Sequence, residues 1–203
     1  KGFYRNLNVR KSFKDDKLLI ELVTSSHYSQ NFNMKKFCEY IISIHKDRIS
    51  GIIHTINDNI SDKIDYKKVD SKLYYGESMI NENILGLDFE ISMSSFFQTN
   101  PKCAEKLYNK VIEYALEKCV IHENNNIILD LFCGTGTIAQ LLASRIDSAK
   151  VIGVDIIESA IKNAKNNVTK NKIKNVEFQA LDIKDFLIKN PLLRNKINII
   201  IID

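Results

Sequence analysis

The segment NIILDLFCGTGTIAQLLASR, residues 126–145, constrains this chain more than any other. An apolar run ends in Asp130-Leu131-Phe132, turns through Gly134 and Gly136, and passes straight into the apolar-rich stretch TIAQLLASR. Continuous apolar runs suit parallel strands covered on both faces. Glycines allow a sharp turn and a close approach of backbone to a ligand. A helix that opens there offers unpaired N–H groups to a negative group. The alternation continues: KVIGVD reads as a strand, ESAIKNAKNNVTKNK as a helix with Ile161, Ala164 and Val168 on one face, NVEFQAL as a strand, IKDFLIK as a short helix and KINIIIID as a strand. Upstream, Pro101 opens a helix over 101–119, with Ala104, Leu107, Val111 and Ala115 as its apolar stripe. The pattern predicts the α/β class, with a Rossmann-like, doubly wound parallel sheet. Ligands of such sheets bind in the crevice at the carboxyl ends of the strands.

The first 94 residues have another character. DKLLIELVTSS, RISGIIHTIND, SKLYYGES and ENILGLDFEIS read as strands, the last with Gly86 between two short apolar runs. Between the first two, MKKFCEYIISIHK places Phe37, Tyr40, Ile41 and Ile44 at helical spacing. Residues 1–94 are therefore expected to form a small, largely antiparallel β-rich α+β domain with one helix, and residues 95–203 the α/β domain.

The chain has 203 residues, 44% of them hydrophobic, enough for a sizeable core. It holds no run of 18 apolar residues, so no membrane span is expected. The four cysteines, at 38, 103, 119 and 133, form no C-x-x-C pair, and no His cluster lies near them, which argues against zinc and against a disulfide framework. An intracellular setting, cytoplasmic, nuclear or organellar, is expected. The net charge of +4 permits nucleic-acid binding without demonstrating it.

Two ligand classes fit the glycine turn. Gly134, Gly136 and Ala139 read G-x-G-x-x-A, and Asp155 stands at the tip of the next strand, where a carboxylate accepts from ribose hydroxyls; both features suit a dinucleotide. Asp130, four residues before the first glycine, favours S-adenosylmethionine, whose ammonium and sulfonium call for an acid. Asp182 follows the third strand, where an adenine amino group is met. The plainer alternative for Asp130 is an acid that caps nearby loop amides. Cys133 reads better as a small residue of the turn than as a nucleophile, and the lysines of NAKNNVTKNKIKN as a solvated helix face. His27, His45, His54 and His122 are scattered and read as surface or strand residues.

SFFQTN, residues 95–100, precedes the helix that leads into LDLFCGTGTI. At this spacing the two motifs resemble the RNA 5-methyluridine methyltransferases, the tRNA and ribosomal-RNA (uracil-5-)-methyltransferases. The likeness covers roughly residues 80–203 and leans to the eukaryotic-type tRNA branch. It implies a class I methyltransferase sheet, S-adenosyl-L-methionine as cofactor, and RNA as partner, with tRNA ahead of ribosomal RNA, in a monomer without metal. By position it assigns cofactor contacts to Gln98, Phe132, Thr137, Asp155 and Asp182, beside Asp130 and the turn glycines Gly134 and Gly136. Relatives carry Asn where Thr137 stands and Glu where Asp155 stands. The acid of the family's Asp-Pro-Pro-Arg motif falls on Asp203, so the sheet is expected to be truncated there. The nucleophilic cysteine and the general base would then lie beyond Asp203, leaving residues 1–203 inactive by themselves. Plainer readings are that Phe96 or Phe97 packs on the 101–119 helix and that Gln98 caps it. A methyltransferase of another class, or a non-catalytic RNA-binding module, remains open.

Overall fold

Residues 2–27, 32–59, 64–66, 68–119, 126–193 and 195–203 are described by a computed structural model of the protein. The chain forms two units, Lys1–Glu82 with Glu90–Ser94, and Asn83–Phe89 with Ser95–Asp203. His122 lies outside the described residues.

The first unit is built on β1 (Tyr4–Lys11), β2 (Leu18–Thr24), α1 (Met34–His45), β3 (Ile49–Ile56) and β4 (Asp70–Gly76), with strand order β1-β2-β3-β4. β1 and β4 pair antiparallel with their neighbours, but β2 and β3 run parallel. The reason is α1, which serves as the crossover that a parallel pair requires. Ile20, Leu22, Ile49 and Ile52 pack against Met34 and Cys38, flanked by Phe37, Ile41 and Ile42. This corrects the helix face read from sequence: Tyr40 and Ile44 are exposed. Two overlapping apolar stripes compete on α1, and the sheet takes the one carrying Cys38. β1 escaped the sequence reading because Leu7 and Val9 alternate with Asn and Arg and stay exposed. On β2 the carboxylate of Glu21 is fully buried and accepts from Asn8 Nδ2 at 2.8 Å, Thr55 Oγ1 at 2.6 Å and the Tyr66 hydroxyl at 2.9 Å. Three donors are what a buried carboxylate needs.

β5 (Met79–Ile84) and β6 (Leu87–Ser92) form a hairpin whose tip residues, Leu85 and Gly86, have φ of 50° and 91°. Positive φ at both positions marks the turn type whose twist matches paired strands.

The second unit contains α2 (Pro101–Cys119), β7 (Asn126–Leu131), α3 (Thr137–Arg145), β8 (Ala149–Asp155), α4 (Glu158–Asn171), β9 (Val176–Ala180), α5 (Ile183–Lys189) and β10 (Ile197–Ile202). Its sheet is wholly parallel, in the order β10-β7-β8-β9, as expected of a Rossmann-like sheet. Leu129, Leu131, Ile152 and Val154 bury one face with Phe186 of α5. α3 and α4 supply Leu141, Leu142, Ile161 and Ala164 to the core as well. The buried stripe of α2 is Ala104, Tyr108, Ile112, Ala115 and Cys119. It lies one position on from the expected Leu107 and Val111, and Leu107 is exposed. On α4 Asn167 is buried where Val168 was expected, and Val168 is only half-buried. Lys162, Lys165 and Lys170 face solvent. Among the described residues no helix is long and apolar enough to cross a membrane.

Candidate functional site

β7 brings the chain to the carboxyl edge of the sheet, where the backbone turns left-handed three times in five residues. φ is 59° at Phe132, 53° at Gly134 and 75° at Gly136. A positive φ on a phenylalanine is strained, and such strain collects at binding sites. The turn is held from both sides. Cys133 N–H donates to Val154 O at 3.2 Å and Gly136 N–H to Cys133 O at 2.8 Å. Gly134 N–H donates to Asp155 Oδ2 at 2.9 Å, and Ile157 N–H to Asp155 Oδ1 at 2.8 Å. Asp155 thus ties the glycine turn to the end of β8.

Gly136 is required by its surroundings. A Cβ there would overlap Phe178 Cζ and stand 2.6 Å from Cε1 and 3.1 Å from Ala164 Cβ. At Gly134, by contrast, nothing lies within 4 Å of where a Cβ would be. The space above that residue is open to a ligand.

Asp130 is next to last in β7 and 1% exposed. Its Oδ2 accepts from Ala139 N–H in the first turn of α3 at 3.0 Å, a helix amide and not the loop amides of the plainer reading. Burial drives its pKa up to about 7, the Ala139 N–H opposes that rise, and the charges of Asp203 and Asp155 add to it. No described cation pairs with it.

A cleft of about 210 Å³ opens beside this group. Gln98, Asp130, Phe132, Gly134, Thr137 and Asp203 all line it, together with Phe96, Phe97 and Cys133. Asp155, Gly136 and Asp182 are outside its wall but share the same sheet edge. Asp182 follows β9, is exposed, and caps α5 by accepting from Lys184 N–H at 2.8 Å. Leu181 N–H donates to Asp155 O at 3.0 Å, which joins the two strand ends.

The structure separates the two phenylalanines. Phe97 packs on Phe89, ring centroids 6.1 Å apart, while Phe96 is 74% exposed. The cap of α2 is Asn100, whose Oδ1 accepts from Cys103 N–H at 3.1 Å, so Gln98 is left to face the cleft. Replacing Asn100 by Ala will therefore lower stability by about 1 kcal/mol, and replacing Gln98 by Ala will leave the melting curve unmoved; thermal denaturation followed by circular dichroism checks both.

Burial pushes the Cys133 thiol far up, and the charges of Asp130 and Asp155 add to this, so Cys133 is no thiolate. Tyr108, Thr135 and Ile138 also line the cleft and were missed by sequence reasoning. The signal for Tyr108 was its place three residues before Val111 on a helix leading to the site. A larger hollow of about 720 Å³ lies at the opposite edge of the sheet, lined by Asn126, Asp147, Lys150, Asn175, Lys196 and Asn198. Parallel sheets take ligands at the carboxyl edge, so the smaller cleft is the candidate. Among the described residues no three His, Cys, Asp or Glu side chains group to hold a metal.

A family described as "Methyltransferase domain" matches residues 122–203. A Clostridium tetani protein named "uncharacterized RNA methyltransferase" is 41% identical over all 203 residues, which cover 41% of that protein. A Clostridium acetobutylicum protein of the same description is 39% identical over the full chain, again covering 41% of its length. The chain thus spans about two fifths of the length of these curated relatives. Among solved structures, Pyrococcus abyssi tRNA (uracil-54, C5)-methyltransferase in complex with S-adenosyl-L-homocysteine superposes with a TM-score of 0.67 and 26% identity, over 90% of this chain and 40% of that one. The resemblance to the RNA methyltransferases is shown along the whole chain, and its C-terminal unit has the methyltransferase fold.

Proposed function

We propose that the cleft holds S-adenosyl-L-methionine and that this chain is the cofactor-binding part of a protein that methylates carbon 5 of uridine in RNA, with tRNA as the leading substrate. The observation that carries the reading is Asp130, a buried carboxylate with no cationic partner among the described residues, set beside the glycine turn and facing a cleft shared with Asp203. Uncompensated acids suit a ligand that brings an ammonium and a sulfonium. The names of the relatives and of the solved neighbour support RNA and uracil as substrates.

In this reading residues 1–94 form the small β-rich domain and 95–203 the N-terminal half of the methyltransferase domain. Asp130 meets the ammonium, Gln98 offers a neutral amide to the same end, and Asp155 accepts from the ribose. Phe132 and Thr137 bound the turn, Asp182 serves the adenine, and Asp203 closes the cleft. Bound there, the cofactor supplies an electrophilic methyl group. Carbon 5 of uracil is too weak a nucleophile alone, so a cysteine thiolate adds to carbon 6. A base then removes the carbon 5 proton after transfer, and the thiolate leaves. None of the four cysteines here suits that task. Burial raises the Cys38, Cys119 and Cys133 thiols, and Cys103 sits on α2, outside the wall of the cleft.

Calorimetry on the 203-residue chain will show heat with S-adenosylmethionine and none with NAD, and labelled methyl groups will not pass to RNA. Binding of NAD without binding of S-adenosylmethionine would overturn the reading.

A further inference from the structure

We propose that Tyr108 binds the amino-acid end of the cofactor, its hydroxyl donating a hydrogen bond to the ligand's α-carboxylate. This rests on the cofactor reading above. Tyr108 sits on α2, 6% exposed, in the same cleft wall as Gln98, Asp130 and Asp203. That wall contains two carboxylates and no Lys, Arg or His. A zwitterionic ligand end therefore finds acids for its ammonium but no cation for its carboxylate. Only neutral donors remain: the Gln98 amide, the Thr135, Thr137 and Tyr108 hydroxyls, and backbone N–H groups. Of these, the Tyr108 hydroxyl is carried by a rigid ring on a 19-residue helix, so little freedom is lost when it is used. Burial, with Asp203 and Asp130 nearby, pushes its pKa up to about 12, so the proton needed for donation stays in place at any working pH.

The test is Tyr108→Phe, which keeps the ring and removes the donor. Wild type and variant are titrated with S-adenosylhomocysteine and with 5′-methylthioadenosine, which lacks the amino-acid end. The expected result is a loss of about tenfold or more for S-adenosylhomocysteine, with unchanged affinity for 5′-methylthioadenosine and an unchanged melting temperature. Equal affinity of both proteins for S-adenosylhomocysteine would overturn this inference alone. So would an equal loss for both ligands, which would mark Tyr108 as packing. Wild type that binds neither ligand would remove the cofactor reading, and this inference with it.

Discussion

Between pH 5.5 and pH 7 the affinity of this chain for S-adenosylhomocysteine will rise about tenfold, and Asp130→Asn will abolish the rise. With a pKa of about 7 in the free protein, Asp130 is almost wholly protonated at the lower pH and half ionised at the upper. A ligand ammonium binds the ionised form, so affinity follows the ionised fraction, which grows about tenfold over this range. The ligand's own amino group stays protonated there, since α-amino groups titrate near 8. Calorimetric titration at four pH values reads the slope. A flat profile for wild type would exclude Asp130 as the partner of the charge. Stability moves the opposite way. The folded protein keeps a proton on Asp130 that the unfolded chain releases near its ordinary value of 3.8. The folded state therefore loses stability as pH climbs from about 4 to about 7, by on the order of 4 kcal/mol. Asparagine keeps an oxygen for Ala139 N–H and cannot ionise, so at pH 8 Asp130→Asn will melt higher than wild type while binding the ligand more weakly.

Gly136→Ala will unfold the second unit at markedly lower temperature than Gly134→Ala. Both glycines have left-handed φ, 75° and 53°, and alanine in that region costs about 1–2 kcal/mol. Only at Gly136 does the new methyl group meet buried atoms, Phe178 and Ala164. Overpacking of this kind adds about 1–3 kcal/mol. The total of about 2–5 kcal/mol corresponds to roughly 5–15 °C for a chain of this size. Gly134→Ala will fall by only a few degrees, because nothing lies within 4 Å of its added carbon. Differential scanning calorimetry separates them. Equal shifts would mean that backbone strain alone governs this turn. Pairing Gly136→Ala with Phe178→Leu will recover part of the loss, since the clash is with the ring and the two sites are coupled.

The C-terminal unit was legible almost element by element. β7 and β10 are continuous apolar runs, β9 alternates apolar with polar, and each helix lies between turn residues, so TIAQLLASR is helix α3 as read, Thr137–Arg145. The first unit was harder. β1 lacks the apolar alternation that marks a half-buried strand, and the parallel pairing of β2 with β3 depends on where α1 packs. Helix faces were misjudged on α1 and α2, where adjacent stripes are both apolar and only the opposing sheet chooses between them. Gln98 shows the same limit at the site. Position alone allows it to cap α2, whereas in the structure Asn100 Oδ1 accepts from Cys103 N–H and takes that role.

Local order along the chain sufficed to set the succession of strands and helices in the C-terminal unit, the glycine turn and the acids at the strand ends. These follow from periodicity and from φ preferences, which act between near neighbours. Tertiary structure alone decided that Asp130 is dehydrated enough to hold a proton near neutrality, that Phe178 denies Gly136 a side chain, and that Tyr108 turns toward the cleft. Each of these depends on atoms brought together from distant parts of the sequence, because dielectric environment and steric contact are properties of the packed interior.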